Sequence, residues 1–155
     1  MAQEKYPVPK PTIDQKFNRT LYQYWALTAG AINLAKSNGI TPYVYGKSMG
    51  KLFVPGWGKP DFDGVIKSTL MNMEYMRRSK DTPPVAKENQ DGSVSIIFDD
   101  DTWHDYFAKP MFNVTYDEFL DYFRGLSEVL ASELVQANVT MERKDSILVS
   151  TYRRK

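Results

Sequence analysis

The chain predicts an α+β fold: a helical layer of three N-terminal helices and one long helix in the C-terminal half, packed on a small antiparallel sheet of two hairpins. Three observations predict it. Apolar residues recur at three- and four-residue spacing over 17–35 and again over 119–134. Two Thr-x-x-Gln/Glu boxes, at Thr12 and Thr115, mark helix starts by offering reciprocal caps for free backbone N–H groups. Short apolar runs at 94–98 and 147–152 each lie one turn away from a second short run, so the strands pair locally and antiparallel.

Taken in order, residues 1–11 carry Pro7, Pro9 and Pro11 and read as an extended arm before a single domain over 12–155. Thr12 caps the first helix, on which Phe17, Leu21, Trp25, Thr28, Ile32 and Ala35 form a core stripe, and Asn38-Gly39 stops it. Thr41-Pro42 starts a second helix, running to Val54, with proline at the first position where its missing N–H costs nothing. Gly46 and Gly50 lie one turn apart on that helix, so another backbone can approach closely. A loop over 56–60 carries Trp57. A third helix is expected over 61–79, with Val65, Ile66, Leu70 and Met73 turned inward.

The period then changes. Runs 85–88 and 94–98 flank Asn89-Gln90-Asp91-Gly92, whose Asp-Gly pair signals a hairpin. A short helical turn over 102–108 stops at Lys109-Pro110. Thr115 opens the long helix, expected to about Ala137, with Phe119, Phe123, Leu126, Leu130 and Leu134 as its stripe. Runs 139–143 and 147–152 close the chain as a hairpin across Lys144-Asp145.

Composition narrows the function classes. The 155 residues suit one domain, and 20 Lys+Arg against 19 Asp+Glu leave a charge of +1. Nucleic acid and anionic membrane are therefore not expected partners, because nothing supplies a strong field. The absence of cysteine excludes disulfides, thiolate zinc, iron–sulfur clusters and a Cys nucleophile. No secretory h-region opens the chain, and the longest apolar stretch, 24–35, is too short to span a bilayer, so a cytoplasmic placement is expected.

Four local patterns bear on chemistry. Gly46-Lys47-Ser48 resembles the tail of a phosphate loop, but Thr41 stands where the first glycine belongs. Gly46-Lys47-Ser48-Met49-Gly50 spells a nucleophile elbow, but no strand precedes it, and close helix packing accounts for both glycines. Asp99, Asp100, Asp101, Asp105 and the only histidine, His104, fall within seven residues. The loop glycine of a calcium site is missing and one histidine without cysteine does not make a zinc site, so no metal is expected. His104 is the best candidate for proton transfer, because it titrates near neutrality, with Asp101 or Asp105 as its orienter.

The last pattern is a surplus of large, flat and soft side chains: 14% aromatic residues and seven Met. Tyr22, Trp25, Tyr45, Met49, Trp57, Trp103, Tyr106 and Phe123 would wall an apolar pocket if the helices converge over the sheet, although dense packing without a cavity is the more common outcome for such residues.

Tyr45-Gly46-Lys47-Ser48-Met49-Gly50-Lys51-Leu52 resembles the hydrophobic–Gly–x–x–x–Gly–x–x–hydrophobic helix of the 4-vinyl reductase domain, a fold shared with TRAPP-type tethering subunits. Val94-Ser95-Ile96-Ile97-Phe98 is similar to that family's middle strand, and Phe123-Arg124-Gly125-Leu126 to its long helix. The resemblance implies a helical layer over an antiparallel sheet, a buried apolar ligand cavity, aromatic or tetrapyrrole-like ligands and often a helix-mediated dimer. The chain departs from the family by lacking its usual cysteines.

Together these readings give three expectations. The first is a non-catalytic binding module or accessory subunit for a small apolar or aromatic molecule, with no resident cofactor. The second is a small enzyme using His104. The third is a structural adaptor in a homodimer or a larger complex.

Overall fold

The computed structural model describes residues 11–77 and 82–155. The expected proline arm, Pro11 apart, lies outside them, as do residues 78 and 79 of the expected third helix. The elements run α1 (Ile13–Ser37), α2 (Pro42–Phe53), a 3-10 turn (Val54–Trp57), α3 (Phe62–Tyr75), β1 (Val85–Glu88), β2 (Val94–Asp99), α4 (Asp101–Phe107), α5 (Tyr116–Val135), β3 (Ala137–Lys144) and β4 (Ile147–Arg154).

Both capping boxes form. The Thr12 hydroxyl accepts from the Gln15 N–H at 3.2 Å while the Gln15 side-chain carbonyl accepts from the Thr12 N–H at 2.9 Å, and Thr115 and Glu118 repeat the exchange at 3.3 and 2.9 Å. Thr41 caps α2 ahead of Pro42, and Asp61 caps α3 by accepting from the Gly64 N–H at 2.7 Å.

The two hairpins join into one antiparallel sheet of order β1-β2-β4-β3, because β2 pairs with β4 from Val94↔Tyr152 to Asp99↔Ile147. Alternation then puts Ile96, Phe98, Ala137, Val139, Leu148 and Tyr152 on the face buried under the helices. In the first hairpin Gly92 takes φ +75°, as its turn requires, and Asp91 anchors the turn. The Ser93 hydroxyl and N–H, and then Arg153, hold the Asp91 carboxyl down at about 2.

Some boundaries differ from expectation. α3 stops at Tyr75 rather than 79: Met76 leaves helical geometry at φ −99°, ψ 5°, and Arg77 turns back onto Glu74 at 2.6 Å. α5 stops at Val135 because Gln136 adopts the left-handed conformation and feeds directly into β3, which starts two residues earlier than predicted. The last turn falls across Asp145-Ser146, with Asp145 at φ 55°. On α1, Ala29 is fully buried and Phe17 stays 38% exposed, so the inward face is rotated slightly from the predicted stripe.

α2 and α5 cross in close contact. A Cβ on Gly46 would collide with the Tyr122 carbonyl, and one on Gly125 with the Tyr43 carbonyl. On Gly50 it would stand 2.8 Å from Val129 Cβ. The two helix backbones therefore touch each other, and only glycine leaves room. Tyr45 and Tyr122 stack beside the crossing at 5.6 Å, and the Tyr43 hydroxyl donates to Glu128.

Rigid backbone opposes the missing methyl groups, so Gly46→Ala and Gly125→Ala should each cost about 3 kcal/mol or more in urea unfolding, the severe end of overpacking. Gly30, mid-α1 with nothing within 4 Å, should instead gain about 0.5–1 kcal/mol on replacement by Ala. Equal effects at Gly30 and Gly125 would refute the backbone contact.

Candidate functional site

α1, α3, α5 and the 3-10 turn converge above β4 without closing. Between them lies a cavity of about 440 Å³, open on one side. Space remains because Thr20, Thr69, Ser127 and Ala131 are small at the point where these elements meet, while larger side chains stand around them. Leu21, Val65, Met73 and Tyr152 form the buried floor; Phe17, Tyr24, Phe53 and Tyr75 are partly exposed at the rim.

The chemistry of the lining is uniform. Among the described residues that line it, none is Asp, Glu, Lys, Arg or His; their polar groups are the hydroxyls of Thr, Ser and Tyr, the Asn72 amide and the Trp57 indole. Burial raises the Tyr152 hydroxyl above its ordinary range, against an opposing hydrogen bond from Thr69, so it stays neutral. Such a surface can bury rings and alkyl groups and satisfy a neutral polar atom. It offers no counter-charge.

The residues picked out from the sequence divide. Trp57 and Phe123 line the cavity. Trp25 and Trp103 are fully buried instead in an aromatic core: Trp25 stands edge-on to Phe119 at 5.0 Å, and Trp103 lies 4.7 Å from Phe98. Among the described residues their indole N–H groups have no hydrogen-bond partner. Phe123 contacts Trp103 at 5.1 Å and so forms the wall between core and cavity. Tyr106 packs on Trp25 at 6.3 Å with Tyr22 outside it, while Tyr45 and Met49 ride on α2, Tyr45 against Tyr122.

The α5 stripe explains the cavity. Leu126 and Leu130, on the stripe expected to face the core, are only partly buried because, with Phe123, they face this space. The sequence reading missed Tyr152, Thr69, Asn72 and Ser127. Only Tyr152 had a signal, its alternation with Leu148 and Ser150 on β4.

The acidic cluster folds differently. His104, Asp101 and Asp105 are exposed on α4, away from the cavity lining, and the His104 ring stands edge-on to Tyr116 at 5.4 Å. Its neighbour Asp100 is fully buried. Arg143 grips that carboxylate through Nε at 2.6 Å and Nη2 at 3.3 Å, and the Tyr116 hydroxyl donates to it at 2.5 Å. These contacts tie the starts of α4 and α5 to the end of β3. Among the described residues no three His, Cys, Asp or Glu side chains are placed to hold a metal ion, and no helix is long and apolar enough to cross a membrane.

Neither a family model nor a curated protein matches this chain.

Arg143→Met should cost about 3–5 kcal/mol in urea unfolding, because it strands a buried carboxylate. A loss below 1 kcal/mol would show that the ion pair is dispensable. In alkali the tyrosines set the limit. Burial, then the Asp100 hydrogen bond, raises Tyr116 above tyrosine's ordinary 10.0, and burial raises Tyr122 and Tyr152 likewise. The unfolded chain releases these protons near pH 10 while the native chain keeps them, so this stabilisation is complete below pH 10 and declines above it. At pH 11, native protein should show fewer tyrosinates at 295 nm than the ten tyrosines present, and a lower urea midpoint than at pH 9.

Proposed function

We propose that this protein is a non-catalytic binding module, acting alone or as an accessory subunit, for a small, largely apolar and uncharged molecule held in the α1–α3–α5 cavity. One observation carries the reading: an apolar cavity of about 440 Å³ whose lining, among the described residues, contains no acid, amine, guanidinium or imidazole. That volume falls within the roughly 300–1,000 Å³ of small-molecule sites. An ion placed there would lose hydration without gaining a partner, a cost of several kcal/mol. The aromatic rim suits a ring-bearing ligand, and Asn72 with the hydroxyls can orient one polar group. The 4-vinyl reductase-type kinship and the cytoplasmic placement belong to the same proposal.

Two fluorescent probes with the same ring skeleton test the reading. N-Phenyl-1-naphthylamine is neutral, and 8-anilinonaphthalene-1-sulfonate adds one negative charge. The neutral probe should bind at least tenfold more tightly, and Leu130→Trp, which fills the cavity, should weaken it at least tenfold. Equal affinities for the two probes, or neutral-probe binding untouched by Leu130→Trp, would overturn the proposal.

A further inference from the structure

The buried polar groups of the cavity are unequally committed. Several helical serines and threonines of this chain return their hydroxyl proton to the carbonyl four residues back: Thr28 to Tyr24 at 3.0 Å, Ser37 to Asn33 at 3.0 Å and Ser48 to Val44 at 3.1 Å. Ser127, midway along α5, does not. It is only 6% exposed, it lines the cavity, and it has no hydrogen-bond partner among the described residues. Tyr152 on β4 is 3% exposed and lines the same space, and its hydroxyl shares a hydrogen bond with Thr69. Thr69 has already given its own proton to the Val65 carbonyl at 2.9 Å. Two oxygens at that separation repel unless a proton lies between them, so the proton of the Tyr152–Thr69 bond comes from Tyr152. Tyr152 therefore turns a lone pair, and no proton, toward the cavity.

We propose that Ser127 and Tyr152 are the polar anchor of the cavity and select a ligand that carries a hydroxyl group on its apolar skeleton. This inference rests on the binding reading above and narrows it to neutral alcohols. One hydroxyl can donate to Tyr152 and accept from Ser127, so a single atom satisfies both groups. A ketone or an ether only accepts. It can take the Ser127 proton, but it leaves the Tyr152 lone pair facing an oxygen with nothing to give. A hydrocarbon leaves both groups unpaired. Each bond left unmade counts against binding, because a guest in the cavity displaces the water that would otherwise serve these groups. Other polar groups of the lining discriminate less: Asn72, Tyr24 and Tyr75 are exposed at the rim and keep their contact with solvent. With the hydroxyl held at the floor by Tyr152, the rings of such a ligand lie outward against that aromatic rim.

Three compounds on one carbon skeleton test the anchor by displacing N-phenyl-1-naphthylamine from the full-length chain. 2-Ethylnaphthalene has no polar atom, 2-acetonaphthone only accepts, and 1-(2-naphthyl)ethanol both donates and accepts. Tyr152→Phe should weaken the alcohol roughly two- to tenfold, the range one hydrogen bond supplies, and leave the ketone and the hydrocarbon unchanged. Ser127→Ala should weaken alcohol and ketone by a similar factor and leave the hydrocarbon unchanged. Alcohol binding insensitive to both substitutions, or a Tyr152→Phe loss of equal size for all three compounds, would overturn the anchor while the cavity stands. Failure of the naphthylamine and all three compounds to bind wild type would overturn the binding reading and the anchor with it. Urea unfolding without any compound separates a ligand contact from a structural one. The Ser127→Ala midpoint should equal or exceed that of wild type, because alanine is the better helix former and no bond is lost. A lower midpoint would assign the Ser127 hydroxyl to the fold and overturn its role as anchor.

Discussion

The rest of the fold depends on how close α2 and α5 come. With Gly46 beneath one carbonyl and Gly125 beneath the other, the two helices meet backbone to backbone, a geometry that tolerates no side chain at those points. That contact spends one face of α5 on α2. The opposite sides must serve the aromatic core and the helices α1 and α3, and the side chains there are not bulky enough to fill both. The cavity is what remains. Phe119 and Trp103 close the core side, whereas Ser127 and Ala131 fall short of α3 on the other.

A surplus of aromatic residues therefore has two outcomes in one small domain. Five rings, Trp25, Phe98, Trp103, Phe107 and Phe119, pack at 4.7–6.4 Å, tilted or edge-on except where Phe107 stacks on Phe119, the spacing of a dry core with no room for a guest. A second group borders open space. Phe123 belongs to both, so the shape of the cavity wall is set from behind by Trp103. Neither group involves His104, which sits instead at the surface of the Asp100–Arg143–Tyr116 joint.

Much of this was legible in the sequence. The capping boxes at Thr12 and Thr115, the Pro42 start, the Asp91-Gly92 hairpin and the Gly46/Gly50 pair each state a local rule that the fold obeys. What was not legible follows from tertiary geometry. Whether a stripe such as Phe123, Leu126 and Leu130 is covered or left facing a void depends on how far α3 stands from α5, and no periodicity encodes that distance. Trp25 and Trp57 look alike as pocket candidates; only the packing of α4 beneath one of them separates core from wall. Asp100 could not be told from Asp99 or Asp101, because its partner Arg143 lies 43 residues away.

The one-residue junction at Gln136 bears on how the molecule yields. α5 passes into β3 through a single left-handed residue, and the same helix is locked to α2 by its glycines, so α5, α2 and the sheet share one stiff frame with almost no slack. The helices facing that frame, α1 and α3, are held through side chains alone. Compliance is therefore lopsided. A guest larger than the resting space would be admitted by displacing α1 or α3, while the Phe123–Tyr152 side keeps its form. Ligand size would be read out as a change in the pitch of α1.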